Sequence, residues 1–410
     1  MIAAIVGLLV ALPQPEWHSR TLPNGAQVFA AKVEAANFVS VQAFVRVGSA
    51  FETSDLSGST HLLEHMLFEG SAMSAPGEVD REIEAVGGFA NATTYRELMR
   101  IRIDAPASEW ITALGALGKL LAKPTCDPTR VAAEGAVIRE EIGLQDLDTL
   151  RALDNRLWSA AYGSSGYGLR TSGGAQNLEK LSPSQLLATY DRHFVGRNIV
   201  LVIVGGGDAE ETLSKAAETL GRLPSGSRVL MPEISAPAAG RVVEDSPTKE
   251  NAVGFAFFAP GMDDASGFFA AQILASRLSR RANSTLGDSV RSSVFFGPTD
   301  RGGLMTVLFR GVPEEGTLES AALKALEKER AGMSRQEFDA ERDGLKRSLA
   351  RRASAPSELA FGTGVFAALG RSDIVGQESR IVEDVTHERY QRLASGLDPL
   401  AAVVVVWRGD

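Results

Sequence analysis

One cysteine, Cys126, stands in 410 residues, so no intrachain disulfide holds the fold and cysteine usage says nothing about compartment. It lies between Pro124 and Pro128 with no nearby histidine, the setting of a small half-buried filler rather than a nucleophile. Positive charge is short as well. The formal net charge is −9, and Lys and Arg are scattered, the densest group (Lys346 to Arg352) reading as a solvated helix face. Binding a phosphate backbone needs clustered cations, so the sequence argues against nucleic acid as a partner. Long apolar runs are missing too. The uncharged run Ile2 to Leu12 is too short to cross a bilayer. It has the length of the apolar part of a secretory signal, with Ala11 as a cleavage point, but no Lys or Arg precedes it. A buried first strand fits equally, and localisation (periplasmic or secreted, or cytoplasmic) stays open.

What is present is enough chain for two cores. A length of 410 residues predicts two domains of about 200 residues each, 14–222 and 241–410, separated by the Pro/Gly/Ser/Ala-rich stretch Leu223 to Gly240. A Pro-Asn-Gly turn signal at Pro23 to Gly25 precedes an expected strand, Ala26 to Glu34. A second strand is expected at Phe38 to Val47, then a polar loop, Gly48 to Thr60, and an apolar helix beginning near His61. A further strand is read at Ala92 to Ile103 and a helix at Ser108 to Leu121. Asp127 followed by Pro128 starts another helix, since Asp caps free amides and Pro suits the first helical position.

The two halves echo each other at an offset of 207 residues. Pro106 falls on Pro313, Glu134 on Glu341 and Leu67 on Leu274, in the same order of strands and helices. This is a duplicated α+β unit, each half a mixed sheet covered by helices on one side. At that offset His61, Glu64, His65 and Glu141 meet Phe268, Ala271, Gln272 and Ser348. The first half therefore carries residues that the scaffold does not require.

Those residues have a chemistry. In His61-Leu62-Leu63-Glu64-His65 the two imidazoles lie four apart, one helical turn, and can reach one metal ion. Glu64 projects near the same face, within reach of a metal-bound water. Catalytic zinc takes three protein ligands and keeps a position for water, and a nearby carboxylate must then shuttle the proton. Glu134 and Glu141 are seven apart and share a helix face, so either can supply the third ligand. Only five histidines occur, and two fall in this spacing, which is a known peptidase signature.

The stretch His61 to Gly70 resembles the insulinase, pitrilysin and mitochondrial processing peptidase family, which carries this inverted motif. A Glu 76 residues after the second His, here Glu141, and another seven before it, here Glu134, are similar to the family's pattern. So are Gly87-Gly88-Phe89-Ala90-Asn91-Ala92-Thr93, Tyr167-Gly168 and Arg197-Asn198-Ile199-Val200. The resemblance implies Zn2+ held by His61, His65 and Glu141, with Glu64 as general base and Glu134 as support. It implies that Asn91 and Ala92 lie on an edge strand that pairs with an extended peptide substrate. It implies two homologous domains forming half of a clam-like chamber.

The match departs in the second half. Full family activity uses an Arg and a Tyr there; in Asp288 to Phe296 this chain offers Arg291, and Phe295 or Phe296 where Tyr is expected. The expectation is a zinc-bearing endopeptidase subunit completed by a homologous subunit, as a heterodimer or homodimer. The alternative is a non-catalytic structural or assembly subunit. Other divalent ions also suit a two-His, one-Glu site; zinc rests on ligand type and resemblance.

Overall fold

The computed structural model describes residues 15–33, 36–164, 166–285, 289–313 and 316–409. The apolar run 2–12, Glu34 and Asp288 lie outside the described residues.

Among these, eleven strands form two sheets. The first contains β1 (Trp17–Thr21), β2 (Gln27–Ala31), β3 (Phe38–Val45), β4 (Phe89–Thr94), β5 (Met99–Pro106) and β6 (Ile199–Val204), in the order β1-β2-β6-β3-β5-β4. The second contains β7 (Gly240–Asp245), β8 (Ala252–Ala259), β9 (Val290–Phe295), β10 (Gly303–Gly311) and β11 (Val403–Arg408), in the order β7-β11-β8-β10-β9. Without β1 the two orders superimpose position by position. The parallel pairs, β2 with β6 and β7 with β11, occupy the same place in each. The duplication is thus written in topology. Its offset holds at the helices (335 − 128 = 207 for Pro128–Asp146 and Arg335–Ala353) and drifts through the loops (290 − 89 = 201 for β4 and β9).

The helices that matter in the first half are α1 (Ser59–Phe68), α2 (Glu78–Ala85), α3 (Trp110–Leu121), α4 (Pro128–Asp146) and α5 (Thr149–Tyr162). The Asp127 carboxylate accepts the amides of Thr129 and Arg130 at 3.0 and 3.2 Å, so α4 starts where its cap and Pro128 dictate. The helix expected near His61 begins two residues earlier. The expected strand Ala92 to Ile103 is instead a hairpin: β4 and β5 pair antiparallel, and the Tyr95 amide closes the turn on the Leu98 carbonyl at 2.7 Å. Alternation of apolar residues runs through both arms, and only the polar Arg96-Glu97 pair between them marks the reversal.

That turn lies on Gly48. A Cβ there would come within 2.3 Å of the carbonyl oxygens of Tyr95 and Arg96, closer than any side chain tolerates.

Each sheet buries one face under helices of its own half, as the pattern predicts. In the first sheet Val28, Val41, Ala43, Ile101 and Ile103 share a core with Leu114 and Leu117 of α3. The other face is closed by the opposite half. Phe29, Phe44, Val200 and Val202 pack with Ala360, Val365 and Phe366 from the helix Pro356–Ala368. Reciprocally, α5 sends Leu153 and Leu157 into the core of the second sheet beside Leu308 and Val405. Two glycines allow the approach: a Cβ at Gly364 would meet the Phe44 ring at 1.9 Å, and one at Gly254 would meet Leu157 at 2.7 Å. Each large side chain buried this way contributes roughly 1.5–3 kcal/mol.

Cys126 is 2% exposed, and burial pushes its thiol up to about 11, consistent with a filler. No helix among the described residues is long and apolar enough to cross a membrane.

Candidate metal centre

The N-terminus of α1 is anchored by a buried carboxylate. Glu52 accepts the amides of Gly58 and Thr60 at 2.9 and 2.7 Å and the Ser59 hydroxyl at 3.2 Å, satisfying donors that a helix start leaves open. Burial nevertheless dominates and raises Glu52 to about 7. Along α1, Leu62, Leu63, Met66 and Leu67 are fully buried, which fixes the helix rotation and turns His61 and His65 to a common side. Their rings lie 4.9 Å apart, nearly perpendicular.

Leu62 and Met66 pack against Val131, Ile138 and Ile142 of α4, and this contact sets the spacing of the two helices. Glu141 Oε2 then stands 3.8 Å from His61 Nε2 and 3.9 Å from His65 Nε2. The three donor atoms all lie within 4.8 Å of one another. Zinc–ligand bonds of about 2.1 Å set neighbouring donors roughly 3.4 Å apart, so the set fits such an ion with shifts of a few tenths of an ångström. Burial, with His65 alongside, lowers His61 to about 4. Its imidazole is neutral at neutral pH, as a metal ligand must be.

Glu134, one of the two candidates for third ligand, takes another place: its Oε2 lies 2.9 Å from His65 Nδ1. A carboxylate there fixes the ring tautomer and leaves Nε2 free to coordinate. His61 Nδ1 faces the Ser172 carbonyl at 3.5 Å. Glu64 is 8% exposed, accepts the Thr94 hydroxyl at 2.5 Å and is raised to about 7, chiefly by burial.

His61, Glu64, His65, Glu134 and Glu141 all line one cavity of about 850 Å3. One wall is β4, the last strand of its sheet, with Ala90 to Thr94 on the lining. Asn91 pairs Arg102 and Ala92 pairs Ile101 on the inner side; the outer side has no strand neighbour in the sheet. Phe295 of β9 also reaches the lining, whereas Arg291 of the same strand is exposed and outside it. Phe296 packs on Phe268, ring centres 5.3 Å apart. Phe268 and Ala271, which take the places of His61 and Glu64 in the duplicate, are core residues, 1% and 0% exposed.

Thr94 and Ser172 were not singled out by the sequence. Thr94 had a signal: in a strand that places Ala92 against the site, the residue two further on faces the same way.

Residues 27–173 match the family model of insulinase (peptidase family M16), and residues 180–345 match that of the peptidase M16 inactive domain. The chain belongs to peptidase family M16. Mitochondrial-processing peptidase subunit beta of Blastocladiella emersonii is 28% identical to this M16 chain over 237 residues, 57% of the chain and 51% of that protein. An uncharacterized zinc protease of Mycobacterium bovis is 28% identical over 213 residues, 52% of the chain and 49% of that protein. The M16 chain spans about half the length of the curated relatives it matches. A protease from Helicobacter pylori shares its fold, with a TM-score of 0.86 at 17% identity over 97% of the M16 chain and 100% of that structure. Family and relatives together support a peptidase function.

Proposed function

We propose that this chain is the zinc-bearing subunit of a metalloendopeptidase that cleaves unstructured peptides, completed by a homologous second chain. The observation that carries the reading is the meeting of three donor atoms with Glu64 on a cavity walled by an edge strand.

His61, His65 and Glu141 would hold Zn2+, which when bound acidifies water and polarises the scissile carbonyl. Glu134 holds the His65 ring in its coordinating orientation. An extended peptide adds to the open side of β4, at Asn91 and Ala92, through main-chain hydrogen bonds. Glu64 takes the proton of the attacking water and returns it to the leaving amine, with Thr94 orienting the carboxylate. The side chains that clamp the substrate from the opposite wall are assigned to the partner, because Phe295, which has no hydroxyl to donate, reaches the cavity and Arg291 does not.

The test is hydrolysis of mixed unstructured peptides, read by mass spectrometry, with Glu64→Gln as control. Cleavage only after the homologous chain is added supports the whole reading. Cleavage by this chain alone establishes the peptidase and removes the partner from it. Silence in both arms, with zinc bound, leaves a structural subunit.

A further inference from the structure

A second cavity adjoins the first. It has a volume of about 340 Å3, the low end of the range for small-ligand sites. Tyr95 and Arg96 line both cavities, so the two meet at the turn that follows β4. The inner walls come from both halves of the chain: Leu98 and Trp158 from the first, Leu304, Phe361 and Val365 from the second.

The charged groups on this wall are already engaged. The Arg96 guanidinium lies 4.0 Å over the Trp158 ring and donates to the carbonyls of Tyr167 and Leu169 at 3.2 and 2.5 Å. Glu97 accepts the Tyr167 hydroxyl and, at 2.8 Å, the Asp300 amide. What is left facing the space is apolar and aromatic, Tyr95 and Phe361 having ring centres 6.1 Å apart. One polar atom is the exception: Thr299 Oγ1 is buried on this wall without a hydrogen-bond partner.

Position decides what such a space serves. Thr94 marks the point on β4 where Glu64 acts. A peptide paired on the outside of β4 advances about 3.3 Å per residue with side chains on alternate faces. It therefore brings a side chain to Tyr95 and Arg96 within two or three residues of the scissile bond. Resting on the proposed peptidase reading, we infer that this second cavity is a specificity pocket for one bulky aromatic or aliphatic side chain of the substrate. The pocket is an inter-half feature, so its selectivity is set by residues of the metal-free half as well as of the metal-bearing one.

Gly297 offers a way to close it. It lines the cavity at an exposed position, and a Cβ added there meets no atom within 4 Å, so Gly297→Phe sets a ring at the rim of the space without a clash of its own Cβ with the packed walls. The experiment measures binding of two dye-labelled extended peptides, one with a Phe scanned through the central positions and one with Ala throughout. Binding is read by fluorescence anisotropy to Glu64→Gln and to the Glu64→Gln, Gly297→Phe double variant. Expected is about tenfold or tighter binding of the Phe peptide at one register, a preference that Gly297→Phe removes while the Ala peptide binds as before. Equal affinity of the two peptides overturns the pocket, and so does a preference that survives Gly297→Phe, or no binding of either. Cleavage of the same peptides separates the two ideas. Hydrolysis without the Phe preference refutes the pocket and leaves the peptidase, whereas the preference without hydrolysis in any assembly does the reverse.

Discussion

The carboxylate of Glu134 stands 2.9 Å from Nδ1 of His65, while Glu141, two turns on along the same helix, stands 3.9 Å from Nε2 of the same ring. The two sides of one imidazole thus face two carboxylates, which the proposed function gives separate tasks, one orienting and one ligating.

Removing the orienting charge should loosen the metal without removing a ligand. Glu134→Gln is expected to weaken zinc binding by about 10–100-fold. Competition against a chromogenic chelator measures this, with far-UV circular dichroism unchanged. Affinity equal to wild type would show that His65 is held by packing alone.

Two buried carboxylates make stability depend on pH in an unusual direction. Burial raises Glu52 and Glu97 each from 4.5 to about 7. Between those values the folded chain keeps a proton that the unfolded chain has lost. Their stabilising contribution is complete below about 4.5 and fades as pH rises toward 7, with a limiting slope of about 1.4 kcal/mol per pH unit for each group. Other carboxylates, such as Glu337 at about 2, pull the other way, so the comparison is between variants. The difference in Tm between Glu97→Gln and wild type should shift in favour of the variant from pH 5 to pH 7.5. A difference independent of pH would mean that Glu97 is ionised in the folded chain throughout.

Gly48→Ala tests the turn above the site. The added methyl cannot fit beneath the carbonyls of Tyr95 and Arg96, so either the turn lifts or the Gly48 backbone retreats. A loss of roughly 1–3 kcal/mol is expected, seen as a lower denaturant midpoint. Because Thr94 is the residue before this turn, peptide cleavage in the completed enzyme should fall more steeply than stability alone explains. A variant as stable and active as wild type would show that the turn tolerates displacement.

Much of the centre was legible because it is local. Four-residue spacing puts His61 and His65 on one side of α1, and seven-residue spacing puts Glu134 and Glu141 on one face of the helix that Asp127 and Pro128 start. The division of work between those two glutamates was not local: it depends on how Leu62 and Met66 seat against Ile138 and Ile142. The hairpin was misread as one strand because both arms alternate alike. The exchanged helices were invisible to any reading that treats each half alone. Pro356–Ala368 did carry a sign: after Glu358 its only polar side chain is Thr363, the mark of a helix buried on most of its surface.

That exchange has a mechanical consequence. A chain whose halves each lend a helix to the other's sheet cannot flex at a hinge between them without baring Phe29, Phe44 and Val202 to water. The two sheets are thereby tied into one block. On the proposed reading, peptides gain access to His61 and His65 by the parting of whole subunits or the movement of surface loops, not by the bending of this chain.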